Sequence, residues 1–142
     1  MYTYNCYITR VVDGDTVDVN IDLGFGVYLN DQRIRLYGCD TPESRTSDNI
    51  ERRYGNAAKL FVMNALPTNS RQKLVSHDRG KFGRILGEFL VYDAAIDAEN
   101  SLKNIMIREH LAVHYHGQSK ESIEEEHIKN RELIDERYIA HT

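Results

Sequence analysis

Residues 13–23 read D-G-D-T-V-D-V-N-I-D-L and combine a turn with a strand pattern. Asp13-Gly14-Asp15 has the composition of a tight turn, and apolar residues then alternate with polar ones over the rest of the stretch. Alternation with a period of two is typical of a strand that has one face in the core and one in water. We therefore predict a β-hairpin at this point. The inward-facing residues of its second strand are then Val17, Val19, Ile21 and Leu23.

More strands are predicted on either side of the hairpin. Residues 3–12 alternate weakly and supply its first strand, while residues 33–37, R-I-R-L-Y, alternate again with the aliphatic residues inward and the arginines outward. Strand character resumes at residues 73–75 and 83–92, with a polar turn over residues 77–80 between them. The sequence thus predicts five strands.

A first helix is predicted between Asp48 and Leu66, where the apolar spacing changes from two residues to that of a helix. Asp48 followed by Glu51 imitates a capping box at its start, and Pro67 ends the run. This helix separates the third strand from the fourth.

Two further helices follow the fifth strand. The first begins after Asn100 or Ser101. The second opens at Ser122, which is followed three residues later by Glu125 in the pattern of a capping box. We place the second over residues 119–139 as a C-terminal helix. The order β-β-β-α-β-β-α-α predicts an α+β protein, a five-stranded Greek-key barrel of the OB-fold type with three helices.

Length and composition indicate one folded domain over residues 1–142. Apolar residues make up 41% and charged residues 28% of the chain, so a disordered chain, a collagen and a coiled-coil rod are poor fits. The net charge is -4, but residues 1–92 carry +1 and residues 93–142 carry -5. This asymmetry leaves room for a polyanion site in the first part of the chain.

The sequence also bears on cellular location and redox state. It lacks an apolar stretch near the ~20 residues of a membrane span, and residues 1–6 lack the features of a secretory leader. We therefore expect a cytoplasmic chain, or a secreted one if a leader has been removed. Cys6 and Cys39 have no pairing motif, so we expect reduced, buried thiols.

Three short clusters carry chemically useful side chains, although each alone is ordinary turn or loop chemistry. They are Asp13-Gly14-Asp15-Thr16, the run from Arg35 to Glu43, and Lys81-Phe82-Gly83-Arg84. Together they offer carboxylates, which are hard oxygen ligands of the kind calcium takes, and arginines, which bind phosphate oxygens in a bidentate way. A phosphodiester needs its growing charge neutralised during attack, so this combination suits phosphodiester hydrolysis.

These clusters, in this order, resemble the staphylococcal nuclease (thermonuclease) family. The resemblance rests on residues 12–17, on residues 35–43, on Tyr54-Gly55 and on residues 81–84, and it extends over roughly residues 5–115. It implies an OB-fold barrel and a calcium-dependent endonuclease that hydrolyses DNA and RNA and leaves 3′-phosphate products. Single-stranded substrates and a monomeric protein are the corresponding expectations.

The resemblance also implies roles for individual residues. Asp15 and Asp40 would bind calcium through their side chains, and Thr41 would bind it through its backbone carbonyl. Arg35 and Arg84 would hold the scissile phosphate and stabilise charge at its equatorial oxygens.

Glu43 would orient or deprotonate the attacking water, and the sequence leaves both roles open. Lys81, Phe82 and Tyr115 would contact the substrate. Phe82 is a departure, because the family often has a tyrosine there, and its missing hydroxyl puts affinity for the substrate in doubt rather than the reaction.

Two alternatives stay open at this point. Histidines at positions 110, 114 and 116 have a spacing that can bind zinc on a helix, but no fourth ligand is evident, and we interpret them as surface or packing residues. The family also contains degenerate, non-catalytic members that act as nucleic-acid or protein-binding scaffolds. The presence of both aspartates, Glu43 and both arginines favours the enzyme.

Overall fold

A closed barrel of five strands forms the centre of the structure, a computed structural model that describes residues 2–80, 83–140 and 142. In chain order the elements are β1 (Tyr2–Asp13), β2 (Thr16–Asp22), β3 (Tyr28–Leu36), β4 (Cys39–Asp40), α1 (Asn49–Ala65), β5 (Arg71–Arg79), β6 (Ile85–Asp93), β7 (Ala98–Ser101), α2 (Leu102–Arg108), β8 (Val113–His114) and α3 (Lys120–Leu133). The barrel strands follow the order β3-β2-β1-β5-β6, and parallel pairing of β3 with β6 closes the ring. The predicted α+β class, five-stranded barrel and order of strands and helices are confirmed.

The barrel core is built from the alternating strands, as predicted. Val17, Val19 and Ile21 of β2 are buried, as are the two aliphatic residues of the third predicted strand. Leu23 was expected on the same face, but it is 44% exposed, so that part of the prediction is wrong. β2 ends at Asp22, and the chain leaves the barrel for a turn with left-handed backbone at residues 24–26.

Helix α1 packs its small residues against the barrel. Asp48 is its N-cap, since its side chain accepts hydrogen bonds from the backbone N–H groups of Ile50 and Glu51. The helix ends at Ala65, one residue before the predicted limit, and Val62 is among its buried residues. The predicted start of this helix at Asp48 is confirmed, and its end lies within one residue of the prediction.

The predicted turn over residues 77–80 is mostly strand. β5 continues to Arg79, with Asp78 opposite Leu86 and Arg79 opposite Ile85, and β6 begins at Ile85 rather than at Gly83. A register shift between Ser76 and Asp78 marks a bulge, which lets polar residues continue the strand pairing. Polar composition alone therefore predicted a turn where the chain makes a bulged strand.

The last helix starts at its predicted position but ends earlier than the predicted range of 119–139. Ser119 is the N-cap, accepting a hydrogen bond at 3.1 Å from the backbone N–H of Ser122, so Ser122 lies in the first turn and does not cap the helix. α3 ends at Leu133, after which the extended Ile134 and a 3-10 turn at Glu136–Tyr138 follow. Ile134 and Ile139, one on each side of that turn, are both buried in the core.

Two predictions about cysteines and membranes can also be compared with the structure. Cys6 and Cys39 are free and fully buried, which confirms the expectation of buried thiols. Burial raises the pKa of each thiol to about 12, so both stay protonated at neutral pH. Within the described ranges, every helix is too short or too polar to cross a bilayer.

Candidate functional site

Two glycines let the acidic loops lie directly against α1. A Cβ built on Gly14 would come within 2.9 Å of Ala58 Cβ and 2.9 Å of Thr41 Oγ1. Gly14 precedes Asp15, so the close approach holds the first turn against the loop that carries Thr41. The β1–β2 turn and the segment after β4 are therefore neighbours because position 14 has no side chain.

Gly55 likewise allows the backbone of Glu43 to lie close to α1. A Cβ at Gly55 would lie 2.3 Å from the backbone oxygen of Glu43 and 2.6 Å from the backbone nitrogen of Ser44, distances at which the loop would have to move. The backbone of Glu43 thus rests on the helix, while its residue as a whole stays exposed at the edge of the site.

Arg35 lies at the centre of the site between two carboxylates. Its Nη1 donates hydrogen bonds at 2.9 Å to the backbone oxygens of Leu36 and Cys39, which fixes the guanidinium. Its Nη2 lies 3.4 Å from Asp15 Oδ2 and 3.4 Å from Asp40 Oδ1. The structure therefore brings Asp15, Arg35 and Asp40 together, as the sequence predicted. Arg35 comes from β3 and Asp40 from the two-residue strand β4.

Thr41 is joined to the same group through its backbone. Its N–H donates a hydrogen bond at 3.4 Å to Asp15 Oδ2. Its side-chain hydroxyl is buried and has no hydrogen-bond partner among the described residues. Thr41 is therefore held in place by its main chain, while its hydroxyl makes no hydrogen bond to the described residues.

The site has more negative than positive charge, and this shifts the acidity of its carboxyls. Burial raises the pKa of Asp15, and this effect outweighs the opposing attraction of Arg35, while repulsion from Asp40 and Asp13 adds to it. Burial and the same aspartates also raise the pKa of Glu43. Ionisation of Asp15 and Glu43 is therefore less favourable here than in water, and a bound cation would oppose that effect.

A hard divalent cation fits this donor set. The available donors are carboxylate oxygens and a backbone with an unpartnered hydroxyl beside it, which suit calcium or magnesium better than a soft metal. Within residues 2–80, 83–140 and 142, no group of three His, Cys, Asp or Glu side chains is close enough to hold a metal ion by itself. Carbonyl oxygens and water would have to complete the coordination shell.

A cleft of about 780 Å³ opens beside the carboxylates. Arg35, Asp40 and Arg84 line it, and so does Tyr115, which is 46% exposed and whose backbone N–H donates to Gly38 O at 2.9 Å. The predicted phosphate and substrate residues that are described therefore share one surface. The remaining two predicted substrate residues, Lys81 and Phe82, lie outside the described residues.

The three histidines considered for zinc are placed differently from one another. His114 and His116 line the cleft, with ring centroids 5.4 Å apart. His110 follows α2 with a left-handed backbone, φ +62°, and is not part of the cleft lining.

Sequence reasoning missed His127, which belongs to the site. Its Nε2 lies 2.7 Å from Asp40 Oδ2 although 87 residues separate the two in sequence. α3 brings the ring there, and no local motif marks this position. Only the packing of the C-terminal helix could reveal it.

Comparison with known proteins agrees with this geometry. Residues 33–134 match the family model described as staphylococcal nuclease homologue. The chain is 39% identical over 82 residues to a thermonuclease of Staphylococcus intermedius, an alignment that covers 56% of this chain and 44% of the relative. The chain thus aligns with less than half the length of that relative.

Proposed function

Because the chain belongs to the family of staphylococcal nuclease homologues, we propose that it is a metal-dependent endonuclease that hydrolyses phosphodiester bonds in DNA and RNA. The observation that supports this most strongly is the placement of Arg35 between Asp15 and Asp40 at one end of a cleft that Arg84 also lines. A scaffold protein has no need for this combination of partly buried carboxylates and a fixed arginine.

We propose that the cation is calcium, held by the side chains of Asp15 and Asp40 and by the backbone carbonyl of Thr41. When bound, it supplies positive charge next to a phosphate oxygen. Arg35 presents one nitrogen to the carboxylates and keeps the other on two carbonyl oxygens, so its orientation is set before substrate arrives. Such preorganised donors lower the barrier because they need not reorient during the reaction.

Glu43 then acts on the attacking water, and Arg84 acts on the phosphoryl group. Glu43 orients the water or removes its proton, and the oxygen of that water attacks phosphorus. The bond from phosphorus to the 5′-oxygen breaks as the new bond forms, and the leaving oxygen takes a proton from solvent water, which leaves a 3′-phosphate on one fragment and a 5′-hydroxyl on the other. Arg84 meets the negative charge that develops on the phosphoryl oxygens.

The experiment that tests this function uses 5′-labelled single-stranded DNA, duplex DNA and RNA of matched sequence. Each is incubated with calcium, magnesium or excess chelator, and products are treated with phosphatase to reveal 3′-phosphate ends. We expect cleavage in calcium, best on the single strands, and none in chelator, with Asp40→Asn as the inactive control. Binding without cleavage in every cation would support the non-catalytic scaffold instead, and full cleavage in chelator would exclude the proposed metal.

A further inference from the structure

Asp40 is held from two sides by different parts of the chain. Oδ1 faces Arg35 Nη2 at 3.4 Å, close to Asp15, while Oδ2 faces His127 Nε2 at 2.7 Å. The second contact is the shorter one, and the imidazole that makes it is only 10% exposed. A hydrogen bond to a carboxylate in such a sheltered position is among the strong ones.

The surroundings of the ring determine which nitrogen carries its proton. His127 Nδ1 is buried and has no hydrogen-bond partner among the described residues, whereas Nε2 faces an acceptor. A neutral imidazole satisfies this arrangement when Nε2 carries the hydrogen and donates it to Asp40. The ring then acts as a fixed donor to one oxygen of the carboxylate.

Helix α3 has further contacts besides this hydrogen bond that hold it in position. Asn130 Nδ2 donates to the backbone oxygen of Ala112 at 3.2 Å, and Arg131 lies over the ring of Tyr54 at 5.4 Å. The N-terminal end of the helix is capped separately by Ser119. Substitution at position 127 can therefore remove the contact to Asp40 while the helix stays docked.

We propose that His127 is a positioning residue that orients Asp40 for the cation, and that the C-terminal helix is thus part of the metal site. This inference rests on the proposed function. A ligating carboxylate that rotates freely loses affinity for its metal, and hydrogen-bonding partners of ligands typically contribute about 10–100-fold in affinity. Holding Oδ2 with His127 leaves Oδ1 facing Arg35 Nη2, the nitrogen that also faces Asp15 Oδ2.

The test measures calcium affinity by calorimetry on the full chain, with terbium luminescence as a second probe. We expect His127→Ala to weaken calcium binding by about 10–100-fold. His127→Gln keeps an N–H donor at a similar distance from the backbone and should restore most of the lost affinity. Unfolding of each variant by urea without metal shows that the fold is retained.

Asn130→Ala is the matched control, because it removes a contact of the same helix to the backbone of Ala112, just before β8, without touching Asp40. We expect its calcium affinity to stay within about threefold of the wild type, well short of the 10–100-fold loss. Unchanged affinity in His127→Ala, or an equal loss in Asn130→Ala, would overturn the positioning role while leaving the proposed function intact. Absence of calcium binding by the wild-type protein would overturn both.

Discussion

Arg35 shows at the scale of one residue how this site is prepared for an anion. Two backbone carbonyls hold one of its nitrogens, so the guanidinium does not depend on the carboxylates for its orientation. The nitrogen shared between Asp15 and Asp40, at 3.4 Å from each, is loosely bound compared with an ideal ion pair. A cation that took over the two carboxylates would release that nitrogen for a phosphate oxygen.

Arg84 is the residue whose removal should affect the chemical step most selectively. We expect Arg84→Ala to lower kcat by roughly 10²-fold or more, because the transition state loses a preorganised positive charge, while calcium affinity stays the same. Arg33→Ala is a matched control, since Arg33 pairs with Asp18 and does not line the cleft. Steady-state kinetics on one oligonucleotide separates the two variants, and a near-normal kcat in Arg84→Ala would assign that arginine a structural role.

Glu43 should determine the acidic limb of the activity profile. Its pKa is raised by burial and by nearby aspartates, so activity should fall as pH drops at values above the ordinary 4.5 of a glutamate. Glu43→Gln removes the base and should depress kcat while DNA binding in calcium is largely kept. The profile of kcat against pH for both proteins checks this, and an unshifted, fully active Glu43→Gln would show that Glu43 has no part in water activation.

At the scale of the element, helix α1 is the support against which the two segments that carry Asp15 and Glu43 pack. Its small buried residues, among them Gly55 and Ala58, let the β1–β2 turn and the segment after β4 approach the helix closely. The sequence predicted this helix from its capping and spacing, because both signals are local. The contact between Gly55 and Glu43 is a tertiary one, and helical periodicity carries no information about it.

A methyl group at position 55 should therefore displace the segment that carries Glu43. Gly55→Ala gains helix propensity, but its Cβ would lie 2.3 Å from the backbone oxygen of Glu43, so the loop must shift. We expect a loss of roughly 1–3 kcal/mol in the free energy of unfolding, together with a fall in kcat. Met63→Ala on the exposed side of the same helix is the control for both urea unfolding and kinetics. A stabilised, fully active Gly55→Ala would contradict the close packing.

Short elements and long-range contacts mark where prediction from sequence failed. β4 and β8 have two residues each, and their pairing of Asp40 with Val113 places a predicted ligand beside the C-terminal part of the chain. Two residues give no periodicity to detect. The bulged part of β5 was predicted as a turn for a different reason. Its composition is polar, and turns and irregular strands share that composition.

At the scale of the whole molecule, the site has a cost in stability that a cation should offset. The pKa of Asp15 is raised above its ordinary 3.8, so its contribution favours folding below that value and is lost as pH rises through the raised pKa. At neutral pH and without metal, Asp15→Asn should therefore unfold at a higher urea concentration than the wild type. The difference should vanish when the pH falls below 3.8.

Calcium should reverse that order. It binds the folded wild type and raises its stability by mass action, whereas Asp15→Asn loses an anionic ligand and gains little. Urea midpoints at neutral pH, with and without calcium, give the comparison. Asp15→Asn less stable than the wild type in chelator would show that the ion pair with Arg35 outweighs burial, contrary to the direction of the pKa shift.

The most direct test compares calcium occupancy with cleavage in one buffer. Calorimetry gives the fraction of protein with calcium bound, and the initial rate on a 5′-labelled single strand is measured at the same calcium concentrations. We expect the rate to rise in proportion to occupancy of a single site and to fall to background in chelator. Cleavage that persists in chelator, or that stays absent at full occupancy, would contradict it.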